Sequence, residues 1–276
     1  MSKAFLKLSM PSRLAGLALS TLIFLSISSP YFSEWGFEQM DFNAMDTAPS
    51  LIHWFGTDQV GRDLYIRTMS GIKVSLFVSL VATLVSIPIG VTWGAVAGYL
   101  GGRIDELMMR FVDVLYSLPF VLIVILLTVI FGPNLYLLFG ALGAIYWLDM
   151  ARIVRGQTLK LKNASFVLAA EAQGASTRDI LLHHIIPNVR SPVIIYGTIT
   201  VPAIILAESF ISFLGLGIQE PQTSLGVLIS DGIPDMETSP WLLLFPSACL
   251  ILMIWSLNTL GDELRDQLDQ RMKPSG

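Results

Sequence analysis

The side chains in this 276-residue sequence that could do chemistry fall in two places. Glu208 sits inside an apolar run from Pro192 to Leu214. A charged side chain in lipid costs about 2.5–3.5 kcal/mol on insertion scales, so Glu208 must face protein or water. It could lie on a translocation path and bind a cation or proton, or it could hydrogen-bond a neighbouring helix. The second place is Asn163–Arg190, which reads NASFVLAAEAQGASTRDILLHHIIPNVR. Glu171, Arg178, Asp179 and Arg190 crowd into it, so it is no membrane span. Charges at this density suit an amphipathic segment that lies on the membrane surface. His53, His183 and His184 are not arranged as a metal site. Cys249 is the only cysteine, which excludes an intrachain disulfide and a cysteine metal cluster. Neither G-x-x-x-x-G-K-[ST] nor H-E-x-x-H occurs. The expectation is a chain with no metal, no cofactor, no Walker-type nucleotide site and no catalytic pair within its spans.

The spacing within 163–190 predicts two short helices with a joint. Phe166–Gln173 is Ala-rich and favours helix. Gly174 interrupts it and permits a positive φ or a very close contact. Ser176-Thr177-Arg178-Asp179 fits a capping box with Ser176 as N-cap. The second helix is expected over Thr177–Ile186 and is stopped by Pro187. Ile180, Leu181, His184 and Ile185 share one face, and Arg178, Asp179 and His183 the other.

These positions need a scaffold, and composition says what kind. The chain is 53% hydrophobic and 14% charged, with net charge −4. Soluble proteins carry about 25% charged residues, so a polytopic membrane protein is indicated, and there is no bulk basic field for nucleic acid. Spans are expected at Leu14–Tyr31, Val74–Leu100, Phe111–Phe131, Leu135–Met150, Pro192–Leu214 and Trp241–Leu260. The first is read as an uncleaved anchor rather than a signal peptide. Residues 33–73 form a polar external region containing a short interfacial helix capped by Thr57 or Asp58, with Leu64, Tyr65, Thr68 and Met69 on one face. Gly90, Gly94 and Gly98 recur every four residues and make a smooth face for close packing. GGRIDELMMR reads as a short loop, Pro119 interrupts the third span, and Gly132-Pro133-Asn134 is a tight turn. Arg110 with Asp113 and Asp149 with Arg152 are spaced as local i,i+3 pairs. With an N-terminus in the cytoplasm and six alternating spans, 14 of 17 basic residues are cytoplasmic, and only Arg62, Arg67 and Lys73 are external. Lys3, Lys7 and Lys273 belong to the cytoplasmic set. The expected fold is therefore an all-α polytopic membrane protein with six transmembrane helices and both termini in the cytoplasm.

The 163–190 stretch resembles the cytoplasmic "EAA" loop of ABC importer permeases. Ala169, Ala170 and Gly174 fall on its alanines and glycine, and His184, Pro187 and Asn188 on its terminal H-x-x-P-N. Leu168 stands where that family has glutamate, with Glu171 three residues later. The string Gly56-Thr57-Asp58 with Gly61-Arg62-Asp63 is similar to the peptide-transport branch, though no chemistry requires it. AGYLGGRIDELMMRFVDVL, WLDMARIVRGQTLKLK and ESFISFLGLGIQEPQTSLGVLISDG are similar to the C-type permeases of oligopeptide importers. The resemblance implies a type I ABC importer permease fold in an inner membrane. Residues 1–73 would be anchor and external loop, and 74–276 the permease domain with a coupling loop at 152–190. It implies ATP-driven peptide import with a second homologous permease, two ABC ATPase subunits and a periplasmic or extracellular peptide-binding protein. ATPase coupling would fall to Ala169, Ala170, Glu171, Gly174, Ser176, Arg178, Asp179, His184, Pro187 and Asn188. Importers of dipeptides, nickel or antimicrobial peptides share much of the pattern. From other classes, an ion-coupled carrier using Glu208 and a passive structural subunit remain open.

Overall fold

The computed structural model describes residues 9–132 and 135–272. Lys3, Lys7, Lys273 and the turn residues Pro133 and Asn134 lie outside them. The described residues are almost entirely helical, in nine α-helices and one mixed helical segment.

Helix α1 (Met10–Phe32) starts at Ser9, whose hydroxyl accepts the Ser12 amide. The Ser9 amide and the Ser12 hydroxyl both donate to Glu263 near the other end of the chain. Helix α2 (Leu64–Leu100) has 37 residues, about 55 Å at 1.5 Å per residue. Its cap is Asp63, which accepts the Ile66 amide at 2.9 Å, rather than Thr57 or Asp58. The interfacial helix expected after residue 58 is thus the first two turns of α2, and Leu64, Tyr65, Thr68 and Met69 are all buried.

Gly101 turns the chain with φ +67° into α3 (Gly102–Ser117), so GGRIDELMMR is helix and not loop. Leu118 and Pro119 are extended, and α4 (Phe120–Phe131) leaves at 77° to α3. Pro119 has no N–H to continue the ladder, and Leu118 before it is pushed out of the helical region. The span expected over Phe111–Phe131 is therefore broken in its middle.

Helix α5 (Leu135–Leu161) lies along α2. The glycine face provides the reason. A Cβ at Gly94 would sit 2.3 Å from the Ala151 carbonyl, and one at Gly90 2.5 Å from Met150 Cβ. Neither expected local ion pair forms. Arg152 reaches Asp113 at 2.8 Å, Arg110 pairs with Glu106, and Asp149 bonds the Tyr196 hydroxyl. Arg155 adds a bidentate pair to Asp105 at 2.5 and 2.7 Å. The Arg152–Asp113 and Arg155–Asp105 pairs dock the amphipathic α3 against the C-terminal half of α5.

After α6 (Ser165–Ala172) and the mixed segment come α7 (Arg190–Phe213), α8 (Leu225–Gly232) and α9 (Trp241–Met272), which carries the charged tail as continuous helix. Among the described residues α1, α2, α7 and α9 are long and apolar enough to cross a membrane, and the bent α3–α4 pair makes up to five.

The G-T-D-x-x-G-R-D string has a folding role. Gly56 and Gly61 have φ of +81° and +80°, and a Cβ at Gly61 would lie 2.2 Å from the Asp41 carbonyl. Thr57 Oγ1 accepts the Thr47 amide and donates to the Ala44 carbonyl, while Asp58 holds Arg62 at 2.6 Å. His53 is buried against Trp35, with Nδ1 2.8 Å from Asp63.

Candidate functional site

Ala-rich α6 ends at Gln173, and Gly174 takes φ +80° with open space around its missing side chain. Ser176 then caps the next turn as its type and spacing predict. Its hydroxyl accepts the Asp179 amide at 3.2 Å and donates to the Asp179 carboxylate at 2.5 Å. That bond holds the carboxyl below its usual range. The turn Thr177–Asp179 widens into a π-helical stretch, Ile180–Ile185, and tightens into a 3-10 turn, Ile186–Asn188. The expected plain α-helix over Thr177–Ile186 is therefore only partly α-helical. Pro187 does not end it. A proline is tolerated in the first turn of a helix, and here it enters the 3-10 turn that hands the chain to α7 at Arg190.

The segment has two distinct faces. Val167, Ala170, Ile180, Ile185 and Val189 are buried against Val91, Ala95 and Tyr99 of α2 and Met150 and Val154 of α5. The glycine-packed helix pair thus holds the inner face. Ala169, Glu171, Arg178, Asp179, Pro187 and Asn188 are exposed on the outer side, and so is Leu168. Two of the ten sequence-predicted coupling residues therefore stand apart. Ala170 is buried, and His184 is half-buried with its ring 6.4 Å from Phe166. Asn188 Nδ2 donates to the His184 carbonyl at 2.6 Å.

Sequence reasoning missed Tyr99. Its hydroxyl donates to Glu171 Oε1 at 2.8 Å, and Lys162 lies over its ring. Glu171 is thereby tied to the last turn of α2. Spacing carries no signal for a partner 72 residues away.

Glu208 is fully buried. Ser75 of α2 and Ser212 of α7 donate to its two oxygens at 2.8 Å each, Ser209 is 3.5 Å away, and the Ser224 hydroxyl, at the cap of α8, also bonds it. Four hydroxyls from three elements enclose the acid. This geometry joins α2, α7 and α8 and leaves the carboxylate facing protein.

Among the described residues the arrangement is thus an α-helical one in which two short elements, α6 and the mixed segment, are seated on a glycine-packed helix pair. The chain belongs to the family described as binding-protein-dependent transport system inner membrane component, which matches residues 90–274. It is accordingly a multi-pass bacterial inner-membrane protein.

Its relatives narrow the branch. The chain is 51% identical over 252 residues to the oligopeptide transport system permease protein OppC of Haemophilus influenzae, covering 91% of this chain and 81% of that one. It is 47% identical to OppC of Escherichia coli K12 (95% and 88%) and 45% identical to the dipeptide transport system permease protein DppC of Bacillus subtilis (94% and 82%). Among solved structures, an inward-facing MetNI methionine ABC transporter matches with TM-score 0.59 at 17% identity, over 74% of this chain and 96% of that one. That likeness is one of fold.

Proposed function

We propose that this chain is one permease subunit of an ATP-driven importer that moves peptides, oligopeptides foremost, across the inner membrane by alternating access. It has six spans with α5 among them, both termini in the cytoplasm, and an external region up to the start of α2. A second homologous permease completes the pathway, two ABC ATPase subunits supply hydrolysis, and an external peptide-binding protein delivers substrate. The chain itself binds no nucleotide and is not an enzyme.

One observation carries this reading. The capped segment at Ser176–Asn188 is seated on α2 and α5 by its apolar face while its polar face is open. A force applied to the open face would reach the spans through Tyr99, Ile180 and Ile185. The exposed residues Ala169, Glu171, Arg178, Asp179, Pro187 and Asn188 would meet the ATPase, with Gly174 as the joint. Leu168, in place of the family glutamate, presents an apolar contact there. Glu208 belongs to the framework of the pathway wall, since its serine partners leave it no free acceptor position toward a substrate.

Purification of the tagged protein in mild detergent, followed by mass spectrometry, tests the reading. Stoichiometric P-loop ATPases and a second permease are expected. A protein recovered alone or as a homo-oligomer in several mild detergents would leave the coupling face without its partner and return attention to ion coupling at Glu208.

A further inference from the structure

At the outer end of α2 a cavity of about 440 Å³ lies between the start of that helix, the segment around Glu220 and helix α8. This falls within the roughly 300–1,000 Å³ of small-molecule pockets. Arg67 lines it although its side chain is only 3% exposed. Among the described residues, the Arg67 guanidinium makes one ion contact, 3.7 Å to Glu220 Oε1, lies over the Phe37 ring at 5.6 Å, and makes no side-chain hydrogen bond. A guanidinium has five N–H donors, and burying one without hydrogen-bonding partners is costly. The neighbouring Arg62 is different. It donates to Asp58 and to Glu220 at 2.6 Å each, so the near oxygen of Glu220 is already engaged. Arg67 is therefore a buried guanidinium that lines the cavity with donors unbonded, and a planar guanidinium can take a carboxylate in bidentate fashion.

The same cavity is lined by Asp231 and Asp235. Asp235 accepts from Gln59 at 2.7 Å. The Asp231 side chain has no hydrogen bond or ion pair within 4 Å among the described residues, and it lines the same cavity as Arg67. A carboxylate presented alone would meet four acids against two arginines in this lining. A ligand that brings its own ammonium adds no net charge to this acid excess and offers a cation to the acids as well as a carboxylate to Arg67. We propose that this cavity is an external binding site for a zwitterionic short peptide, its terminal carboxylate on Arg67 and its ammonium beside Asp231. The site rests on the importer reading and adds to it a substrate contact on the permease itself, at the face where peptide arrives. An acidic side chain of a docked protein offers the carboxylate without the ammonium, so it fits the Arg67 end only.

The test is equilibrium binding of radiolabelled dialanine to the purified permease complex in nanodiscs, without binding protein and without ATP. Saturable binding is expected. Dialanine amide and N-acetyl-dialanine should each compete about tenfold or more weakly, the worth of one charge-assisted hydrogen bond. Arg67→Gln should abolish binding and Arg67→Lys retain part of it. Asp231→Asn should erase the preference for dialanine over its N-acetyl form, and as an exposed position it should leave assembly intact even where Arg67→Gln does not assemble. Equal competition by the amide, or no saturable binding at millimolar dialanine, overturns the site. So does Arg67-dependent capture of the binding protein without any Arg67-dependent capture of dialanine. Normal peptide uptake without binding would sink this site and leave the importer reading standing. Binding by a complex that lacks ATPase subunits would do the reverse.

Discussion

Two glycines with the same backbone conformation sit at opposite ends of the molecule and do different work. Gly174, at φ +80°, joins α6 to the capped segment, and nothing lies within 4 Å of where its Cβ would be. Gly61, also at φ +80°, lies in the segment before α2, and its Cβ would overlap the Asp41 backbone. Around Gly61 the chain is laced by Asp58–Arg62, His53–Asp63 and the Thr57 hydroxyl, all contacts within that segment. Around Gly174 only the inner face is packed. The outer end is built to hold one shape. The end proposed for coupling has a packed inner face, open space at its glycine and an exposed outer face.

Substituting both glycines breaks this comparison most sharply. Leucine in the left-handed region costs roughly 1–2 kcal/mol wherever it is placed. At Gly174 that is the whole cost, so Gly174→Leu should insert and express normally yet lose peptide uptake. At Gly61 the clash adds to it, so Gly61→Leu should fail to accumulate in the membrane. Uptake assays beside quantitative immunoblots separate the outcomes. Normal uptake by Gly174→Leu would remove the joint from the mechanism.

Tyr99→Phe should have the next largest effect. It deletes one hydrogen bond, worth about 0.5–1.5 kcal/mol, while keeping the ring packed. Transport-coupled ATP hydrolysis should fall several-fold at unchanged expression, and Glu171→Gln, which retains an acceptor oxygen, should stay close to wild type. A loss in Glu171→Gln beside a Tyr99→Phe variant close to wild type would mean that the charge of Glu171, and not the bond, matters.

Glu208 extends the comparison into the membrane. If its role is to join α2, α7 and α8, Glu208→Gln should keep uptake within about twofold, because an amide can still pair with hydroxyls that rotate. Glu208→Leu should destabilise the complex, since it strands the Ser75 and Ser212 hydroxyls at about 1–3 kcal/mol each. Uptake that disappears in Glu208→Gln while the complex keeps its thermal stability would instead make the acid a transport group.

What could be read from sequence divides along the same line between local and distant causes. The positive φ at Gly174, the Ser176 cap and the Ile180–Ile185 face were legible because each depends on neighbours within a few residues. So was the glycine face of α2, since a repeat of four is visible without knowing that α5 covers it. The ion pairs were misread because spacing proposes only local partners, whereas Arg152 and Arg155 find Asp113 and Asp105 on another helix. Pro187 was misread as a stop because the rule against proline in a helix interior does not forbid it in the first turn of a 3-10 segment. The capping of α2 was placed a few residues early, as Thr57 and Asp58 are equally good cap types and only the fold assigns them to the external turn. Tyr99 with Glu171, and the burial of Arg67, depend wholly on how distant helices meet.

The smallest expected effect is one of pH, and it compares a carboxylate from each end. Glu220 is held below the usual carboxylate range by its hydrogen bond from Arg62, and Asp179 by that from Ser176. A depressed folded value means that each contributes stability above its unfolded value, near pH 4, and loses that contribution as pH falls through the folded value. Both contributions are therefore complete at neutral pH and disappear only in acid. Their causes differ, so salt should separate them. Glu220 is charge-paired and well exposed, and added salt should weaken its contribution by screening. Asp179 is held first by a neutral hydroxyl, so its share should respond less. Thermal unfolding of the purified complex from pH 7 down to about pH 2, at low and high salt, reads this out. Glu220→Gln should flatten the acid limb at low salt and change little at high salt. Ser176→Ala should flatten it at both, because the cap has been removed rather than screened. A salt response shared by both variants would show that long-range charge, and not local bonding, governs the two ends alike.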